Sequence, residues 1–146
     1  MNTIQNPSEF PIGRMGRWIL GLWSLLLIAA FSVAVSLEPD PRGYGTHRAL
    51  GLPPCTFQFL FGIPCPSCGM TTSIAHFVRG QFVASAQANV AGLLLGLVCA
   101  IQIPWCWISI RLGRLWKVTH PDAVVLRLLA TLLLVAGVQW LIWLAY

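Results

Sequence analysis

Three apolar stretches, each long enough to cross a lipid bilayer, restrict what this chain can fold into more than any other feature. A hydrocarbon core of about 30 Å takes roughly 20 helical residues to span. Trp18 to Leu37, Val90 to Ile110 and Val124 to Tyr146 all reach that length. The first two contain no Lys, Arg, Asp or Glu, and the third holds only Arg127, one turn from its start, where a long side chain can reach the interface. Pro104 and Gln102 lie inside the second stretch; a kink packed against a neighbouring helix accounts for them more simply than a polar pathway does. Ala34 and Ser36 have the spacing of a signal-cleavage site, but the apolar run before them exceeds the usual 7–15 residues, so the first stretch reads as a span.

Composition agrees. Only 9% of the residues are charged and 57% are hydrophobic, whereas about a quarter are charged in an ordinary soluble domain. The net charge of +5 comes from cations scattered singly, not from the one-faced cluster of a nucleic-acid binder. Their positions are topological. Arg14 and Arg17 precede the first span, and Arg111, Arg114 and Lys117 crowd the second loop, which marks both segments as cytoplasmic. The chain is therefore expected in a bacterial inner membrane, N-terminus inside and C-terminus outside. Trp18 and Trp116 would mark the inner interface, with Trp140, Trp143 and Tyr146 at the outer one.

The expected architecture is all-α in a single membrane domain, residues 1–146, with three transmembrane helices and a short re-entrant or interfacial helical segment between the first two. That segment arises because the first loop, Glu38 to Asn89, is far longer than a usual connection. Residues 57–63 are strongly apolar but too few to span. After them, Met70 to Arg79 reads as a short helix closed by Gly80. Met70, Ile74, Phe77 and Val78 line one face of it, and Thr72, Ser73, His76 and Arg79 the other, as suits a helix lying along the membrane surface.

The chemistry-bearing residues sit in this loop. Cys55, Cys65 and Cys68 form a C-x9-C-x2-C set, a spacing that suits a disulfide, a redox pair or a metal site alike. In the redox reading Cys65, just ahead of a helix N-terminus, is the nucleophile, Cys68 resolves, and Cys55 relays to a partner or to a quinone. In the metal reading the three thiolates hold zinc with His47 or His76 as fourth ligand. If the helix starts at Cys68, His76 lies about 12 Å further along its axis, at 1.5 Å per residue, so His47 is the freer candidate. In the structural reading one disulfide from Cys55 to Cys65 or Cys68 staples the loop. Cys99 and Cys106 share a face of the second span and read as small hydrophobes.

Other catalytic constellations are missing from the sequence. The four acidic residues, Glu9, Glu38, Asp40 and Asp122, all lie outside the spans, and no phosphate-binding glycine loop or Ser-His-Asp set appears. The favoured reading is a non-enzymatic accessory or interaction module of the bilayer, with other membrane proteins or a second copy as partners; a membrane thiol-disulfide oxidoreductase is the alternative.

The run Gly62-Ile63-Pro64-Cys65-Pro66-Ser67-Cys68-Gly69-Met70-Thr71, with Arg79-Gly80 and Ala88-Asn89 after it, resembles a bacterial domain-of-unknown-function family of small membrane proteins. The hallmark of that family is C-P-x-C-G-x-T with another Cys about ten residues upstream. The resemblance covers about residues 50 to 95 and departs from the family at Thr72, where many members carry Arg, and at Val90, where many carry Pro. It implies membership and architecture but no activity. A similarity to quinone-coupled membrane thiol oxidoreductases such as the vitamin K epoxide reductase group is chemical only, since those are four-helix bundles with a second cysteine pair.

Overall fold

The structure, a computed structural model, describes residues 10–145. Glu9 and Tyr146 lie outside the described residues. The elements are all helical: α1 (Arg14–Ser36), a 3₁₀ turn (Thr46–Leu50), α2 (Thr56–Phe61), α3 (Met70–Phe77), α4 (Phe82–Ala88), α5 (Val90–Leu112) and α6 (Pro121–Ala145). Helices α1, α5 and α6 are each long and apolar enough to cross a membrane. They coincide with the three expected spans, and α1 begins four residues earlier, at Arg14, adding a turn that contains Arg14 and Arg17.

The ends of these helices follow from their residues. Pro121 opens α6, where its missing N–H and fixed φ cost nothing, and Asp122 adds a negative charge to the positive end of the helix dipole. Gly113 closes α5 in the left-handed conformation at φ 69°, with its N–H bonded to the carbonyl of Ser109. Asn89 opens α5, its side-chain oxygen accepting from the Gly92 N–H at 2.8 Å.

Helix α5 is the hub. It packs against α1, α3, α4 and α6, whereas α1 and α6 do not touch each other. None of the described α6 side chains is buried, so nearly all of that helix is left for lipid. Two polar contacts tie the spans together. Trp23 of α1 donates its indole N–H to Gln102 at 3.2 Å, which uses the polar group inside α5 for packing. Gln139 of α6 accepts from the Val90 N–H at 2.8 Å.

The two ends of the bundle differ. At one, the chain ahead of α1 clips onto the α5–α6 loop: Ile12 N–H donates to Gly113 O at 3.0 Å and Leu115 N–H to Phe10 O at 2.9 Å. Arg14, Arg17, Arg111, Arg114 and Lys117 belong to this end, so the two basic segments singled out in the sequence share one side. At the other end, Trp140 donates to Pro64 O at 2.7 Å, joining the C-terminal part of α6 to the cysteine loop.

Helix α3 inverts the amphipathic expectation. Thr72, Ser73 and Ala75 are completely buried, while Met70, Ile74 and Phe77 keep partial exposure. The small face turns inward because α3 lies against α4 and α5 at backbone distance, where bulk has no room, as in helix pairs within membranes. A Cβ at Gly92 would stand 2.7 Å from Ser73 Cβ, and one at Gly96 would stand 2.9 Å from the Phe77 ring. The apolar α2 segment, by contrast, leaves Phe59, Leu60 and Phe61 exposed and is held through Phe57, whose ring meets Trp140 edge-on at 6.4 Å.

Gly69 is the tightest point. It has φ 83°, and a Cβ there would overlap Ala88 O and stand 2.7 Å from Gly43 O. Gly69→Ala is expected to be destabilising by at least the roughly 1–3 kcal/mol of a left-handed non-glycine residue. A lower melting temperature in detergent, with less protein in the membrane fraction, is the readout. Gly137→Ala, which has open space around it, serves as the silent control.

Candidate metal centre

The cysteines of the loop come from two pieces of backbone. The Cys55 carbonyl accepts the first bond of α2, from Phe59 N–H at 3.0 Å. Cys65 lies between Pro64 and Pro66 and opens a tight turn in which Cys68 N–H donates to its carbonyl at 2.9 Å. Cys68 follows, just ahead of Gly69 and α3. Because α3 starts at Met70, Cys68 and not Cys65 adjoins its first turn.

These segments converge. The sulfurs of Cys55, Cys65 and Cys68 all lie within 4.8 Å of one another, with Cys68 buried and the other two partly so. Cys65 and Cys68 share a hydrogen bond at 3.4 Å between sulfurs. Zinc–sulfur bonds of 2.3 Å in a tetrahedron require sulfurs about 3.8 Å apart, a spacing this trio brackets. Burial pushes the Cys68 thiol up to about 12, helped by the proton shared with Cys65 and by the like charge of Cys65 and Cys55. Without a cation, the cluster resists ionising at Cys68.

Neither histidine joins the trio. His76 Nδ1 is 2.6 Å from Gln81 Oε1, a local link across the α3–α4 turn. His47 comes closer, on the wall of a cavity of about 190 Å³ that the three cysteines also line, together with Tyr44, Arg48 and Thr71. A second, apolar cavity of about 620 Å³ lies between α1, α3 and α5 and shares Ser67 and Thr71 with the first. Cys99 lines that apolar space and Cys106 is buried in α5; neither is part of the cysteine group.

The surroundings hold the trio through buried polar groups. Asn89, only 2% exposed, caps α5 with its oxygen and donates its amide N–H to Cys68 O at 2.9 Å. The start of a span and the backbone of a site cysteine are thus fixed by one side chain. Ser73 donates to Asn89 O at 2.8 Å, and Ser85 to Ser73 O at 2.8 Å, which satisfies the hydroxyls between α3 and α4. Thr72 meets Thr46 at 2.8 Å, and Thr46 accepts from the Asp40 N–H at 3.0 Å, so the 40–50 segment is drawn over the cavity. Hydrogen bonds from Arg42 hold the Asp40 carboxyl down at about 2 and stiffen that turn. Arg79 spans the far end of α3, donating to Ala75 O at 2.7 Å and to Val35 O of α1 at 2.8 Å, where it neutralises two helix C-termini together.

Asn89, Ser73 and Ser85 were not singled out in the sequence as site residues. A signal for Asn89 existed, since an Asn directly before an apolar run is a helix N-cap. Gly92 and Gly96, four apart in an apolar helix, likewise mark a close-packing seam. Nothing in the sequence links Asn89 to Cys68.

Residues 55–103 match the family described as Protein of unknown function (DUF2752). The DUF2752 segment begins at Cys55 and ends within α5, so it contains all three loop cysteines, Gly69, Asn89 and the glycine seam. It agrees with the domain-of-unknown-function resemblance read from the cysteine motif. No curated protein and no solved structure matches the chain.

Asn89→Ala removes a helix cap worth about 1 kcal/mol and leaves the buried Cys68 carbonyl short of a donor, at about 1–3 kcal/mol. Thermal unfolding in micelles is expected to show a combined loss of about 2–4 kcal/mol. Exposed Gln87→Ala, two residues away, should stay within about 0.5 kcal/mol.

Proposed function

We propose that this chain is a small, single-domain integral membrane protein, an accessory or interaction module and not an enzyme, whose loop is fixed by a zinc ion held on Cys55, Cys65 and Cys68. The observation that carries this reading is the mutual approach to within 4.8 Å of three sulfurs, one at the start of α2 and two from the turn ahead of α3. A disulfide would use two of them and leave the third packed against the bridge to no purpose. A borderline-soft cation uses all three, and its charge offsets the repulsion among thiolates. Closing the long loop this way also supplies folding energy that so small a buried core does not.

A second reading has its own support. Cys65 and Cys68 lie close enough for exchange, and the apolar cavity touching Ser67 and Thr71 would give a quinone access from the bilayer. The reaction would take two thiols and a quinone to a disulfide and a quinol, both protons and both electrons passing to the quinone. Elemental analysis with mass-resolved alkylation separates the two. The metal reading expects about one zinc per chain, lost in Cys55→Ala and in Cys68→Ala, with all three thiols shielded from alkylation until a chelator is added. A metal-free protein whose Cys65 and Cys68 interconvert between thiol and disulfide on adding a soluble quinone analogue would instead establish the redox reading.

We further infer, from the basic residues gathered at the opposite end of the bundle, that the cysteine loop faces outward in a bacterial inner membrane with the N-terminus inside. An impermeant maleimide should therefore label loop cysteines in intact cells after chelation and reduction. Labelling confined to lysed cells, with equal reactivity of the detergent-solubilised protein, would reverse the orientation.

A further inference from the structure

The cavity beside the cysteine trio says something about the fourth coordination position. We infer that the ion on Cys55, Cys65 and Cys68 takes its fourth ligand from outside the chain, as a small anionic thiolate. This inference rests on the metal reading and goes beyond it, since it makes the centre an exchangeable site and not a closed staple.

Zinc on protein sulfur is four-coordinate, and a site with three protein ligands keeps its fourth position for water or an incoming group. Among the described residues the ligand set stops at three. His76 is engaged with Gln81. His47 lines the cavity without joining the sulfurs, and its segment is tied down: Thr46 bonds Thr72, and Arg48 N–H donates to Gly45 O at 2.9 Å. The space in front of the trio, about 190 Å³, is several times the share of one water molecule, which is about 30 Å³ in the liquid.

The walls select the ligand. Arg48 and His47 are the ionisable groups there besides the cysteines and Tyr44, and among the described residues no carboxylate lines the cavity, so an anion is favoured over a cation. Arg42 is paired with Asp40 at 2.7 Å, whereas Arg48, though close enough for its charge to act on Asp40, makes no ion pair of its own among the described residues. A metal already held by three thiolates favours another soft donor, and thiolate combines softness with the required sign. Association forms a bond between the metal and the thiolate sulfur as the water in the fourth position leaves and the thiol proton passes to solvent; no oxidation takes place.

The experiment uses the full chain in detergent, loaded anaerobically with Co²⁺ in place of zinc and titrated with mercaptoacetate. A sulfur-to-cobalt charge-transfer band in the starting protein reports cysteine ligation. The proposal expects that band to rise saturably by about one third, the step from three sulfur ligands to four. Arg48→Gln should weaken the mercaptoacetate affinity by roughly two- to five-fold, the scale of one exposed charge interaction. His47→Ala should leave the thiol-free spectrum as it is. Acetate at the same concentration should not raise the band, which separates thiolate ligation from general anion binding. The proposal is overturned if His47→Ala changes the thiol-free spectrum, because a protein ligand then closes the site. It is equally overturned if mercaptoacetate leaves the band unchanged or strips the cobalt. A starting protein with no charge-transfer band refutes the metal reading itself, a result distinct from either of these.

Discussion

The cysteine trio depends on a backbone contact. Cys68 reaches the other two sulfurs because the chain after it can touch the carbonyls of Ala88 and Gly43, and it can do so because residue 69 has no side chain. That contact brings α3 down onto the start of α5, where Gly92 and Gly96 offer equally little bulk. Nonpolar burial contributes less here than close approach does. The buried residues between α3, α4 and α5 are small, alanine and glycine beside serine, threonine and asparagine, which is how helices associate where lipid already supplies an apolar surrounding.

Close approach creates an obligation, because buried hydroxyls and carbonyls must be paired. Ser73, Ser85 and Asn89 meet it among themselves, and the same Asn89 amide orients the Cys68 carbonyl. The site and the span are therefore one unit. Loosening the first turn of α5 changes the position of Cys68, and ordering the cysteine loop helps to cap α5. Arg79 extends this unit to α1 by satisfying the carbonyls of Ala34 and Val35.

How far the sequence disclosed this varies from element to element, for physical reasons. The spans were legible because helix length and the absence of charge are properties of a single segment, and bilayer thickness fixes both. The basic residues were likewise legible as two segments on one side, and the contacts of Phe10 and Ile12 with the α5–α6 loop join them. The grouping of the cysteines was legible only as a set of alternatives, since a disulfide and a metal site demand the same closeness. The inward polar face of α3 was not legible, because hydrophobic periodicity assumes that apolar residues seek the core, and inside a membrane that assumption loses its force. The axial distance that weighed against His76 assumed a helix from Cys68, whereas α3 starts at Met70, so distance alone does not decide its role. The partner that occupies His76, Gln81, depends on the α3–α4 turn, which periodicity does not reveal.

The remaining step concerns why three sulfurs are gathered at a bilayer surface, and charge supplies an answer. Burial, then the proton shared with Cys65 and the like charge of the neighbouring sulfurs, drives the Cys68 thiol up, so that without a cation it stays protonated. Protonated thiols pack together without repulsion, and a divalent ion that displaces their protons would gain all three as ligands. Arg48 stands on the cavity wall and not among the sulfurs. In the metal reading its charge would offset the net −1 that three thiolates leave on a divalent ion, a charge that a fourth anionic ligand would deepen. With a metal bound, the segment from Asp40 to Leu50 would serve as a counterion as well as a cover. Its hold on Thr72 sets how closely that counterion approaches the centre.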